Sequence, residues 1–352
     1  MFLVVLVASG SGAALIAQQA PAPSEAPIHT LHVYANLIQI PTLVLDSKWR
    51  LLKAPIPESR FSISIDYGPW FRATHVRQEG DDAISLSILL DVGGDSSKLM
   101  PKIADAIGGL APLGLHEKDH VSIYAMDCDL VRSSNDVPAE SAHLKMEVDQ
   151  ALQAWKTRQN AKPVPHCEQS VHLWDSVAFV ISELSKLPGR RVIVAVSDGS
   201  DKGSRHSWNE VRTYAEAKGV AVFGVTYIPS DSGISAAPEV RRWSSEDPFH
   251  SLCELSGGVV SLTSPSMLTF TLERIVTMLR ERYIVEFPRP ANGTSGVHSQ
   301  EIRIAKGSYF IRPAGDSFPI PDAAVLADPT TVKSDPTLTP EQGKRKPMDK
   351  PY

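Results

Sequence analysis

Two largely apolar runs, the first carrying Ser85 and Ser87, lead into acidic loops. Ile84 to Leu90 breaks into Asp91-Val92-Gly93-Gly94-Asp95-Ser96-Ser97, and Val192 to Val196 breaks into Ser197-Asp198-Gly199-Ser200-Asp201. Such runs read as buried strands, as in a parallel sheet between helices. Ligands of such sheets sit in the crevice beyond the carboxyl ends of the strands, so the two acidic loops are expected to converge there.

From residue 83 to 287 strand and helix signals alternate. Strands read at Ile84–Leu90, His120–Met126, Arg191–Val196, Val220–Tyr227 and Gly258–Leu262. Helices read at Lys98–Leu110, Ala142–Trp155, Leu173–Leu187, Trp208–Lys218, Pro248–Leu255 and Met267–Arg282. This order predicts an α/β unit with a doubly wound, mostly parallel sheet and helices on both faces. Ser207-Trp208-Asn209-Glu210 has the form of a capping box, and Gly219 marks the stop of the same helix.

The flanking segments, 31–82 and 288–313, carry short β-like runs broken by Pro and Gly. They are expected to pack on one another as a small antiparallel β-sandwich. Phe61, Ile63 and Ile65 alternate with Ser62, Ser64 and Asp66, which predicts a half-exposed strand. Residues 314–352 turn to Pro, Asp, Thr and Lys and are expected to form a disordered tail.

Residues 1–20 are small and apolar and read as a signal peptide, with 21–30 as a linker. The expectation is a secreted or periplasmic, cell-envelope protein with no stable membrane insertion after signal removal. Thirty-five basic and 40 acidic residues, net −5, leave no basic stripe, so nucleic acid is not an expected partner. Cys128, Cys167 and Cys253 lack the close spacing of a zinc site. Cys128 and Cys167 fall in loops expected at one sheet edge and could pair, leaving Cys253 in a helix.

The acidic loops offer the oxygens a hard divalent cation takes. Asp91, Asp95, Ser96 and Asp198 are the candidate ligands, with Ser97 beside them. Neither G-x-G-x-x-G nor the G-x-x-x-x-G-K-[ST] loop is present, so Gly93-Gly94 reads as a sharp turn rather than a phosphate cradle. There is no nucleophile elbow and no H-E-x-x-H pair. The enzyme reading left is a metal-dependent hydrolase using Asp91, Asp95, Asp198 and Asp201.

With those loops in view, the chain resembles the von Willebrand factor A-type domains, more closely the bacterial secreted proteins related to them, over 83–287. The family's metal-ion-dependent adhesion site takes a D-x-S-x-S loop after the first strand, a threonine from a second loop and an aspartate from a third. Asp91 matches the first acid and Asp198 the third-loop acid. Gly93 stands at the first serine, Asp95 at the second and Val171 at the threonine. Ser96, Ser97 or Ser170 could substitute only by a shift of register.

Three carboxylates would largely neutralise a divalent ion, and such a crowd suits calcium better than magnesium. The resemblance therefore implies a secreted, non-enzymatic, adhesion-type binding module with metal dependence weakened or lost. Its partner would be a protein or cell-surface ligand. Trp174, Arg242 and Trp243 are the candidate partner-binding residues, as aromatics beside loops and, at Trp243, beside arginine.

Overall fold

The computed structural model describes residues 37–164, 167, 171–229, 247–290, 295–318, 327 and 339–344. In chain order the first elements are β1 (Leu37–Asp46), β2 (Phe61–Ile65), β3 (Phe71–Arg72) and β4 (His75–Gln78). There follow β5 (Ile84–Asp91), α1 (Met100–Gly108), β6 (His120–Met126), β7 (Leu130–Pro138), α2 (Ser141–Ala151), α3 (Gln153–Asn160), α4 (Leu173–Leu184) and β8 (Arg190–Val196). Next come α5 (Trp208–Lys218), β9 (Val220–Tyr227), α6 (Pro248–Leu255), β10 (Val260–Thr263) and α7 (Leu268–Arg280). The last are β11 (Tyr283–Pro288), β12 (Gly296–Val297), β13 (Gln300–Ile304), β14 (Tyr309–Pro313) and β15 (Ser317–Phe318).

Both apolar runs become neighbouring parallel strands at the centre of a six-stranded sheet ordered β10-β9-β8-β5-β6-β7. Every residue of β5 is buried. Leu86, Ile88 and Leu90 pack with α1, α2 and α7 on one face, and Leu89 packs with α4, α5 and α6 on the other. The expected doubly wound α/β sheet is therefore present, with its strand order reversing at β5 and β8.

One strand of that sheet escapes the sequence reading. β7 runs antiparallel to β6 at the sheet edge, and its sequence, Leu130 to Pro138, is mostly polar. An edge strand needs no apolar cover on both faces, so its pattern carries little signal. The single helix expected over Ala142–Trp155 is divided at Leu152 into α2 and α3.

The flanking strands form two antiparallel sheets, β14-β1-β11-β4 and β13-β2-β3, around a core that includes Ile40, Phe61, Ile63, Val285 and Phe287. β11 pairs with β1 and β4 in this layer, as a strand over Tyr283–Phe287 can when it completes the N-terminal sheet. Leu43 and Leu45 of β1 turn the other way into the core of the α/β unit, so β1 joins the two.

β2 is not half-exposed. Ser64 and Asp66 are buried, because residues from the far end of the chain lie over them. Gly343 N donates to Ile65 O at 3.0 Å, and Gln342 Nε2 donates to Asp66 Oδ2 at 2.6 Å. His298 Nδ1 lies 2.8 Å from the same carboxylate. Thus 314–318 and 339–344, inside the stretch expected to be disordered, have defined positions; apart from residue 327, the rest of that stretch, and residues 1–20, lie outside the described residues.

The crossing between the units is held by buried charge. Arg282, 1% exposed, donates from Nε and Nη2 to the two oxygens of Glu79, both at 2.8 Å. Close by, Arg280 pairs with Asp119 and donates to Asp82 O at 2.9 Å. Asp119 in turn accepts from the amides of Ile84 and His116, tying the start of β5 to this junction.

Removing one partner of such a pair strands a charge. Glu79→Leu is expected to lower the unfolding free energy by about 3–5 kcal/mol, and adding Arg282→Met to recover most of it. Urea denaturation measures both. A loss below about 1 kcal/mol for the single variant, typical of an exposed pair, would contradict this role.

Candidate functional site at the carboxyl edge of the sheet

Because Leu90 of β5 lies opposite Val196 of β8, their loops leave the sheet side by side. The sequence-predicted convergence of Asp91 and Asp198 is therefore met at this edge. Asp91 is 7% exposed and uses both oxygens on its own protein. Oδ2 accepts from Ser197 Oγ at 2.7 Å and Oδ1 from Gly93 N at 2.9 Å. Ser197 Oγ accepts from Gly199 N at 3.1 Å, so the two loops are stitched through that hydroxyl.

Burial pushes the Asp91 carboxyl above its ordinary value, and the nearby Asp198 charge pushes the same way, against the two hydrogen bonds. Asp198 accepts from Ser200 N at 2.8 Å and, more loosely, from Asp95 N at 3.4 Å. Its carboxylate lies against Gly94, where φ is +49° and a Cβ would sit 2.2 Å from Oδ2. Here glycine serves both the left-handed turn and the close approach.

The remaining candidate ligands diverge. Asp95 is exposed and turns to Lys98 Nζ at 2.7 Å, and that ammonium lies 4.7 Å from the centre of the Tyr227 ring. Ser96 is fully buried, and its Oγ has no hydrogen-bond partner among the described residues. Ser97 Oγ is spent on Gly94 O at 2.7 Å. Val171 is half-buried and packs against the apolar core beneath α4.

This donor set does not fit an octahedral oxygen shell. Asp91, Asp95 and Asp198 do not bring three ligand atoms within 4.8 Å of one another; among the described residues the group that does is Asp127, Cys128 and Cys167. Those two cysteines form a disulfide and offer no thiolate. Gly93 and Val171 have no side-chain oxygen where the resemblance asks for hydroxyls. One orphaned hydroxyl at Ser96 does not replace them.

A second cluster of acids on the same edge works as scaffolding. Asp201 accepts from Ser204 Oγ at 2.7 Å and from Trp174 N at 3.3 Å, pinning the third loop to the start of α4. Asp175 accepts from the amides of Arg205 and His206 and from His206 Nδ1 at 2.7 Å. Burial raises its pKa, but these donors outweigh that and hold it below the ordinary value.

Trp174 is not an exposed anchor. It is 7% exposed and packs in the core between α4 and the sheet, as the spacing of α4's apolar residues places it on the inward face. Arg242 and Trp243 lie outside the described residues. The pairing of Cys128 with Cys167 that their loop positions allow is present as a disulfide, and Lys98 is the cation that answers Asp95. The bridge closes a separation of 39 residues, a loop whose closure is worth about 3–4 kcal/mol in the chain-entropy picture.

No protein-family model matches the chain, and no curated protein matches it. Solved structures do overlap with it. Proximal thread matrix protein 1 from the mussel byssus is 13% identical over 57% of this chain and 49% of its own, with a TM-score of 0.39. A form of that protein with a zinc-occupied MIDAS motif gives the same values. BatB from Bacteroides thetaiotaomicron is 16% identical over 56% of this chain and 98% of its own, with a TM-score of 0.36. The chain thus spans about half the length of the mussel protein. Its own strand order and the placement of its acidic loops make the fold von Willebrand factor A-like.

The titration of Asp91 follows from this geometry. Its folded-state pKa lies above the unfolded value, so the proton favours the fold: this contribution is full below the ordinary carboxylate range and is lost as pH rises through the raised value. Carboxyl-carbon NMR is expected to place the Asp91 midpoint above 3.8, and Asp198→Asn to move it down. A midpoint unmoved by Asp198→Asn would show that the two acids do not share the edge.

Proposed function

We propose that the chain is an exported, non-catalytic binding module that meets a protein or cell-surface partner with the carboxyl-edge loops of its sheet, without a divalent ion as bridge. The observation that carries this reading is the self-contained charge of the edge. Ser197 and Gly93 hold Asp91, Ser200 holds Asp198, and Lys98 holds Asp95. Acids with protein donors and a neighbouring ammonium have little need of a cation, and a cation held by three carboxylates has little attraction left for an outside one.

The Cys128–Cys167 disulfide supports export, since such bonds persist in oxidising compartments. Among the described residues no helix is long and apolar enough to cross a membrane. The chain leaves β9 at Tyr227 on the same edge and re-enters α6 at Pro248, and the intervening segment carries Arg242 and Trp243. Arginine beside tryptophan is a frequent interface anchor, so these two are assigned to partner binding.

Capture of the partner from the producing organism's extracellular fraction, followed with and without EDTA, tests this. The expected result is capture that survives EDTA, falls about tenfold or more with Arg242→Glu/Trp243→Ala, and leaves the thermal midpoint of that variant unchanged. Capture abolished by EDTA, or indifferent to the loop variant, would overturn it.

A further inference from the structure

A cleft of 390 Å³ opens at the opposite end of the parallel sheet, between β1, the start of β8, the end of α5 and the turn after β14. That volume lies in the range of small-molecule sites. Four of its lining residues are cationic, Arg190, Arg191, Lys218 and Arg282, and none is acidic. In a chain of net charge −5, a wall of one sign is a local arrangement, not a reflection of composition.

Two of these cations are answered from behind the wall. Arg282 has Glu79, and Arg190 has Asp82 at 3.3 Å and Gln39 Oε1 at 3.0 Å. For the other two no carboxylate partner occurs among the described residues. Arg191 donates from Nε to Leu187 O at 2.9 Å and from Nη1 to Lys218 O at 3.1 Å, which orients the guanidinium and leaves Nη2 unspent. Burial alone lowers its pKa, with no opposing carboxylate. Lys218 is exposed, its ammonium 5.7 Å from the centre of the Tyr214 ring.

The turn after α4, at Leu187 O, and the end of α5, at Lys218 O, account for one Arg191 donor each. They do not account for Lys218, nor for Gln300, which also lines the cleft and whose Oε1 is buried without a hydrogen-bond partner. Glu216 of α5 is held by Arg212 at 2.6 Å and feels the charge of Asp316, and neither acid lines the cleft.

We propose that this cleft binds a small ligand with an oxyanion head, a phosphate or a carboxylate, gripped by Arg191 and Lys218, and with a hydrogen-bond donor placed to meet Gln300 Oε1. The planar guanidinium gives the head its orientation, and the ammonium adds charge at the rim. The site is independent of the loop edge, which lies at the other end of the same strands.

Isothermal titration of the full chain at constant ionic strength, with inorganic phosphate in one arm and succinate in the other, tests the proposal. Saturable binding of either supports it, and the tighter of the two identifies the head. Lys218→Gln, an exposed position, is expected to weaken binding about tenfold, and Arg191→Lys to weaken it further while circular dichroism shows the fold retained. Arg242→Glu/Trp243→Ala should bind as the wild type does. No saturation of either anion by about 10 mM, or wild-type binding in both Lys218→Gln and Arg191→Lys, would overturn it.

Discussion

The hydrogen bond from Ser197 Oγ to Asp91 Oδ2, 2.7 Å long and buried, is the contact on which the loop edge depends. It forms because β5 and β8 are adjacent and parallel, so that the residue ending one apolar run meets the residue just past the other. A buried carboxylate without donors would cost several kcal/mol. With this hydroxyl and the Gly93 amide it becomes a rigid joint between two loops, and Gly94 and Asp198 then find their close packing beside it. An acid that closes a loop joint in this way is structural before it is a ligand.

What the sequence made legible is what local pattern controls. The largely apolar runs Ile84–Leu90 and Val192–Val196 fit the buried strands of a parallel sheet, and the loops after them mark its carboxyl edge. The capping box at Ser207 and Glu210 appears as written, with Gly219 in the left-handed conformation at the helix end. Features set by distant chain segments were not legible. Asp66 reads as a solvent-facing position of an alternating strand, yet His298 and Gln342 cover it from more than 200 residues away.

Trp174 shows the same limit at the candidate site. Beside Asp175 at a helix start it reads either as an interface aromatic or as a filler between helix and sheet, and its position on the inward face of α4 makes it core. Asp95 reads as a ligand or a helix-cap acid by spacing, and the side-chain geometry turns it to Lys98. The polar strand β7 depends on edge placement that one sequence does not fix, whereas the loop positions of Cys128 and Cys167 do suggest the pairing that forms.

The sheet therefore offers two ends of different character. At the carboxyl edge acids are satisfied by the protein itself, and at the opposite end cations are left facing a cleft. The claim on which this account most depends is that the carboxyl edge works without a metal. Calorimetric titration of Mg²⁺ and of Ca²⁺ into the protein tests it most directly, with Gly93→Ser/Asp95→Ser/Val171→Thr, which restores the missing hydroxyls, as comparison. The account predicts no saturable heat for the wild type below about 1 mM of either ion. Micromolar binding by the wild type that disappears in Asp198→Ala would contradict it.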